Sequence, residues 1–140
     1  MNYGYYDEAL NVKLEPSDEI ERYPIQLYEH LCSKINLNNL KVLEVGSGRG
    51  GGASYIARYH KPKIIYGIDL SSKAIDLCKV THDEENLEFL VGDSADIPFD
   101  NDSFDVVINV ESSHCYPSIP KFVNEVSRVL KQGGKFLYCD

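Results

Sequence analysis

The stretch Val42-Leu43-Glu44-Val45-Gly46-Ser47-Gly48-Arg49-Gly50-Gly51 joins a short run of branched apolar residues to a cluster of glycines. Its glycines match the pattern G-x-G-x-x-G between a predicted strand and a predicted helix, the context in which this pattern binds ligands. Glycines permit a tight turn and a close approach of the backbone to a ligand, while free N–H groups at the helix start point toward it. The stretch therefore predicts a βαβ unit with a ligand at its first loop.

Strand-like and helix-like segments alternate along the rest of the chain. Apolar runs predict strands over residues 41–45, 63–69, 87–91, 104–110 and 135–139, and amphipathic spacing predicts helices before and between them. Serines at 71 or 72 and at 118 are expected to cap two of these helices. The alternation predicts the α/β class, with a doubly wound, Rossmann-like parallel sheet. Because Pro16 and Pro24 interrupt the pattern, we predict an irregular segment over residues 1–23 and a cofactor-binding core over residues 24–140.

Composition limits the classes of partner. The net charge of −8 in 140 residues disfavours nucleic acid and anionic membranes, which attract Lys and Arg. No apolar run is long enough to span a bilayer, and no secretory signal is visible. The 4 cysteines are widely scattered, so we expect reduced thiols in the cytoplasm and no metal site.

Acidic residues near the glycine loop limit which class of ligand can bind there. Asp69 ends the second predicted strand, where a carboxylate can accept from two ribose hydroxyls. Glu44 lies beside the glycine turn and suits a cationic amino-acid tail better than a pyrophosphate. Asp93 follows the third strand and can accept from an adenine amino group. These features favour S-adenosylmethionine, and an NAD-dependent oxidoreductase is the alternative.

Four segments resemble, in order and spacing, the motifs of class I S-adenosylmethionine-dependent methyltransferases. They are residues 42–50, 92–99, 104–110 and 128–135. Within that family, residues 109–117 are most similar to methyltransferases of phthiotriol and phenolphthiotriol lipids. They also contain Glu111-Ser112-Ser113-His114, which is similar to a Glu-Ser and His stretch of small-molecule O-methyltransferases.

The resemblance implies roles for individual residues in holding the cofactor. Gly46 and Gly48, with Ser47 between them, would contact the methionine part, and the Asn109 backbone would lie near the amino group. Asp69 would contact the ribose. The adenine would be contacted by Leu70, Asp93, Ser94 and Ala95. Two further residues, Tyr23 and Gln26, would cover the bound cofactor.

His114 is the candidate catalytic base. It follows the fourth predicted strand at the end of the sheet where ligands bind, and imidazole titrates near neutrality. It could take a hydroxyl proton as the methyl group arrives. We expect Glu111 either to orient His114 or to bind a polar group of the acceptor. The resemblance thus implies methylation of a small molecule or lipid at a hydroxyl.

The family has seven strands, whereas this chain supplies five. We therefore expect a fragment whose fifth strand is an exposed edge carrying Phe136, Leu137 and Tyr138. Such an edge predicts homo-oligomer formation by strand pairing. The missing strands also leave open a third hypothesis, a non-catalytic cofactor-binding fragment.

Overall fold

A computed structural model of the chain describes residues 2–140. Five parallel strands form one sheet in the order β3-β2-β1-β4-β5. The strands are β1 Lys41–Val45, β2 Ile64–Asp69, β3 Leu87–Val91, β4 Phe104–Val110 and β5 Leu130–Cys139. The helices are α1 Arg22–Cys32, α2 Gly51–Tyr59, α3 Ser72–Thr81 and α4 Ile119–Val129, with 3-10 helices at Pro16–Glu21 and Ser113–Cys115.

The strand order contains a topological switch point between β1 and β4. The chain builds outward from β1 through β2 to β3 and then returns to the other side of β1 for β4 and β5. Ligands of open α/β sheets bind at the carboxyl ends of the strands on either side of such a point. The predicted doubly wound, Rossmann-like class is confirmed, and the glycine loop after β1 lies at this position.

Helices cover both faces of the sheet and form two apolar cores. Val42 faces a core with residues of α1, α2 and α3, whereas Leu43 and Val45 face a second core with α4. Strand β4 is buried at nearly every position, as its apolar sequence predicts. The predicted serine caps are confirmed, since Ser71 accepts from the Ala74 N–H and Ser118 from the Lys121 N–H.

Two predicted boundaries are wrong. The segment over residues 1–23 is not irregular throughout, because residues 16–21 form a 3-10 helix and α1 already begins at Arg22. Both prolines sit in first turns, where a missing N–H is tolerated. Strand β5 begins at Leu130 rather than at residue 135, because Leu130 pairs with Phe104 before an irregularity shifts the register.

The first residues described lie against the carboxyl end of the sheet. The Tyr5 N–H donates to the Tyr23 carbonyl over 3.0 Å, and the Tyr3 N–H donates to the Glu111 carboxylate over 2.8 Å. Within residues 2–140, none of the helices combines the length and apolar content that crossing a membrane requires.

Candidate functional site

The glycine loop is held in a conformation that only glycine adopts easily. Gly46, Gly48 and Gly50 have φ angles of +76°, +55° and +78°. A Cβ at Gly46 would lie 2.4 Å from the Ser112 Oγ and 2.5 Å from the Tyr116 hydroxyl. A Cβ at Gly48 would meet nothing within 4 Å. The loop is therefore packed tightly at Gly46 and opens onto free space at Gly48.

Asp69 joins the glycine loop to the start of α3. Its Oδ2 accepts from the Gly48 N–H and its Oδ1 from the Ser71 N–H, both over 2.9 Å. A carboxylate has about four acceptor positions, so Asp69 can hold the loop and still accept from a ligand hydroxyl.

Cys78 supports the loop from below. Its thiol donates to the Gly48 carbonyl over 3.2 Å, and a Cβ at Gly50 would lie 3.0 Å from its sulfur. Burial raises the pKa of this thiol to about 11. Cys78 is thus a neutral packing residue of the loop.

Glu44 is a carboxylic acid buried at the end of β1, with 1% of its surface exposed. Its Oε1 accepts from the Tyr28 hydroxyl over 2.6 Å. Burial raises the pKa of Glu44 to about 7, and the nearby Asp69 charge adds to this increase, while the Tyr28 hydrogen bond opposes it. The group therefore titrates near neutrality beside the glycine turn.

A second polar cluster lies where β4 ends. The Asn109 amide nitrogen donates to the Val45 carbonyl over 3.0 Å and lies 2.8 Å from both the Ser112 and the Tyr116 hydroxyl oxygens. Burial raises the pKa of Tyr116 to about 12, so its hydroxyl is neutral. Sequence reasoning named only the Asn109 backbone. The tight fit of Ser112 and Tyr116 on Gly46 depends on a contact across the sheet that local spacing does not encode.

The segment predicted to hold adenine lies at the same edge. The Gly92 N–H donates to the Asp69 carbonyl over 3.0 Å, which fixes the start of this segment beside β2. Asp93 is exposed and accepts from the Ala95 N–H over 2.8 Å, and Ser94 is buried. Leu70 is 71% exposed, which leaves an apolar side chain uncovered next to Asp69.

The two predicted covering residues differ in their surroundings. Gln26 is buried in α1, and its amide nitrogen contacts the Leu10 carbonyl at 3.4 Å. Tyr23 is 55% exposed and packs edge-on against Tyr6. Tyr23 therefore lies at the surface, whereas Gln26 belongs to the interior.

His114 is paired with an acid that sequence reasoning missed. Its Nδ1 lies 2.5 Å from the Asp140 Oδ1, and its backbone N–H donates to the Asp140 Oδ2 over 2.7 Å. Although burial opposes the effect, hydrogen bonds from Ser113 and His114 lower the pKa of Asp140. The side chain of His114 is otherwise 62% exposed. An ionised carboxylate thus orients an accessible imidazole.

Glu111 does not orient His114, so that part of the expectation is wrong. Its carboxylate instead accepts from the Tyr3 N–H over 2.8 Å, and its φ of +43° turns the chain away from β4. Asp140 takes the orienting position because β5 runs parallel to β4 and brings the two strand ends together.

Unpaired buried polar atoms concentrate at the predicted site. Within residues 2–140, the buried side-chain atoms without a hydrogen-bond partner are Gln26 Oε1, Glu44 Oε2, Ser47 Oγ, Glu84 Oε2 and Asn109 Oδ1. All but Glu84 belong to residues that the sequence assigned to cofactor binding. Because buried polar groups in folded proteins are nearly always paired, these atoms are positions at which a polar ligand or an ordered water can bind.

The parallel sheet, its switch point and the polar glycine loop define a Rossmann-like ligand-binding domain. The methyltransferase domain family matches residues 43–138, and this chain belongs to that family. The family resemblance predicted from the four motifs is confirmed.

Two curated relatives that are similar to the chain come from mycobacteria. The chain is 48% identical to the fatty-acid O-methyltransferase of Mycolicibacterium smegmatis and 47% identical to the phthiotriol/phenolphthiotriol dimycocerosates methyltransferase of Mycobacterium leprae. Both alignments cover 100% of this chain and 52% of the relative, so the chain spans about half the length of these proteins.

A solved structure shares the fold. The geranyl diphosphate C-methyltransferase of Streptomyces coelicolor, solved in complex with S-adenosyl-L-homocysteine, superposes with a TM-score of 0.77 and 24% identity. The superposition covers 97% of this chain and 57% of that one.

Proposed function

We propose that this chain is the cofactor-binding part of an S-adenosylmethionine-dependent methyltransferase that acts on a lipid or another small molecule. The observation that carries the proposal is the set of unpaired buried polar atoms around the glycine loop, in a chain of the methyltransferase domain family. Two acids, Glu44 and Asp69, add negative charge at this loop. That charge suits a cationic sulfonium nucleoside and repels the pyrophosphate of NAD.

In this proposal each part of the cofactor has its own set of residues. The methionine part is held by Glu44, Gly46, Ser47, Gly48 and Asn109, and the ribose is held by Asp69. The adenine is contacted by Leu70, Asp93, Ser94 and Ala95. The bound cofactor is covered by Tyr23 and Gln26. The orphaned Glu44 Oε2, Ser47 Oγ and Asn109 Oδ1 supply acceptors for the ammonium group and for a hydroxyl or N–H of the ligand.

When bound, S-adenosylmethionine supplies a methyl group on a positively charged sulfur. The chain then contributes orientation and a base. With the Nδ1 hydrogen donated to Asp140, His114 keeps a free lone pair on Nε2 and can take the proton of a hydroxyl. Glu111, which lies at the same end of β4, binds a polar group of the acceptor.

The relatives support a lipid acceptor methylated at oxygen. One is named for fatty acids and the other for phthiotriol lipids. A hydroxyl needs a base such as His114, whereas a fatty-acid carboxyl is already ionised at neutral pH. The oriented His114–Asp140 pair therefore favours a hydroxyl over a carboxylate acceptor.

Calorimetry with S-adenosylhomocysteine tests the proposal. We expect micromolar binding by the wild-type chain, and binding at least about 100-fold weaker in Asp69→Ala, because charge-assisted hydrogen bonds are lost. Asp76→Ala, an exposed acid on α3, is the matched control and should bind as the wild type does. Binding of NAD in preference to S-adenosylhomocysteine, or equal affinities of the two variants, would overturn the proposal.

Self-association through β5 is a separate proposal. In the described residues β5 is an edge strand with a half-buried Phe136 and an exposed Tyr138. Sedimentation velocity should show a dimer that Leu137→Lys weakens, and a monomer at high concentration would contradict it.

A further inference from the structure

Tyr28 connects helix α1 to the acid at the glycine loop. It is a buried residue of the apolar side of α1, and its sequence position predicts only packing. Its hydroxyl nevertheless donates to the Glu44 Oε1 over 2.6 Å. A buried tyrosine could pack without this contact, so the pairing needs its own explanation.

We infer that Tyr28 is a positioning residue, whose hydroxyl holds one oxygen of Glu44 so that the other oxygen is presented to the ammonium group of the cofactor. The inference rests on the proposed function. Tyr28 acts through Glu44 and is not itself assigned a contact with the cofactor.

The packing around Tyr28 leaves room for its ring at the position from which the hydroxyl reaches Glu44. A Cβ at Gly52 would lie 2.0 Å from the Tyr28 Cζ and 2.3 Å from its hydroxyl oxygen. Only a glycine in the first turn of α2 therefore allows the ring to lie where its hydroxyl reaches Glu44. Gly52 thus has a packing role that the conformation of the glycine loop does not require.

The two oxygens of Glu44 are unequal. Oε1 accepts from Tyr28, whereas the buried Oε2 makes no hydrogen bond of standard geometry among residues 2–140. The Ala53 backbone N–H at the start of α2 also favours the ionised carboxylate. Without the Tyr28 hydroxyl, both Glu44 oxygens would be buried without a side-chain partner, which is unfavourable. Fixing Oε1 therefore leaves Oε2 as the position at which a ligand donor is accepted.

The groups facing Glu44 make it sensitive to a ligand cation. They come from α1, α2, α3, β2 and the segment after β4: Tyr28, Cys32, the Ala53 N–H, Cys78, Asp69 and Tyr116. Burial and Asp69 raise the pKa of Glu44, and the Tyr28 hydrogen bond lowers it. An ammonium group favours the ionised acid, so ligand affinity should fall as the pH drops below about 7.

The experiment compares two tyrosine variants by calorimetry with S-adenosylhomocysteine between pH 5.5 and 7.5. Tyr28→Phe keeps the ring on Gly52 and removes only the hydroxyl. Tyr55→Phe is the matched control, because the Tyr55 hydroxyl also donates to a carboxylate, Glu29, over 2.6 Å. Glu44→Gln defines the titration due to Glu44, and thermal unfolding of each variant reports folding.

We expect Tyr28→Phe to weaken binding about tenfold at pH 7.5 and to shift the pH midpoint of binding upward, because Glu44 loses the hydrogen bond that favours its charge. Tyr55→Phe should leave both unchanged, and Glu44→Gln should flatten the profile. If Tyr28→Phe retains wild-type affinity and midpoint, or matches Tyr55→Phe, the inference is wrong. Absence of binding by the wild type would instead overturn the proposed function.

Discussion

The two ends of the sheet differ in how their polar groups are satisfied. At the amino end, the Arg128 guanidinium binds the Glu125 carboxylate over 2.6 and 2.7 Å and the carbonyls of Ile97 and Phe99 over 2.8 and 2.7 Å. At the carboxyl end, Glu44, Ser47 and Asn109 each keep a buried atom without a partner in residues 2–140. The polar groups at the amino end are satisfied within the chain, and the carboxyl end is where we propose that the ligand binds.

The comparison shows that cavity size does not locate the site. A cavity of about 510 Å³ lies at the amino end, between Lys41, Phe99 and Arg128. Within residues 2–140, none of the residues that line it has an unpaired buried side-chain atom. The carboxyl end, by contrast, combines the switch point, the positive-φ glycines and the unpaired atoms. The unpaired atoms, and not the cavity at the amino end, are therefore the basis of the proposed site.

The largest expected effect is at Gly46. Gly46→Ala places a methyl group 2.4 Å from the Ser112 Oγ at a φ of +76°. We expect roughly 3 kcal/mol of lost stability from overpacking and backbone strain, together with loss of S-adenosylhomocysteine binding. Urea denaturation and calorimetry measure the two effects.

Gly51→Ala is the control, since a Cβ there would meet nothing within 4 Å. It should be neutral or stabilise α2 by up to about 1 kcal/mol. Equal stability losses in the two variants would mean that the loop is not the constrained element.

His114→Ala separates binding from chemistry at the carboxyl end. With a long-chain alcohol as acceptor we expect methyl transfer to fall by roughly 10²- to 10⁴-fold, while affinity for S-adenosylhomocysteine stays unchanged. With a long-chain fatty acid, transfer should change little, because no proton has to be removed. Radiolabelled methyl transfer by this chain measures both, and equal losses with both acceptors would contradict the role of base. Binding without transfer to any acceptor would support a non-catalytic fragment.

The smallest effect is expected at the amino end. Arg128→Ala should lower the free energy of unfolding by about 2 kcal/mol and leave cofactor affinity unchanged. The ion pair between Arg128 and Glu125 adds little to this value, because it is partly exposed to solvent. The Arg128 hydrogen bonds lower the pKa of Glu125, so this contribution is present above pH 4.5 and is lost as pH falls through the folded-state pKa. Urea denaturation between pH 3 and 7 should show a weaker acid dependence in the variant.

Sequence pattern predicted those features that depend on local spacing. The bounds of β1, β3 and β4 are confirmed, because an apolar run between polar residues marks a buried parallel strand. The glycine loop and Asp69 also come together as expected, since parallel strands end at the same edge.

The features that were missed depend on contacts distant in the chain. Asp140 reaches His114 only because β5 pairs with β4, and Tyr28 reaches Glu44 only because α1 packs on α2. The extended start of β5 depends on a register irregularity beside Phe104. One sequence carries no information on which of several acids meets a given histidine.

The position of Cys78 gives the protein a chemical reporter of loop motion. Its thiol is buried beneath Gly48, whereas Cys115 is exposed. An alkylating reagent should therefore modify Cys115 at once and reach Cys78 only during moments when the glycine loop opens. The ratio of the two rates, read by mass spectrometry and corrected for the difference in thiol reactivity, reports the fraction of time for which the loop is open.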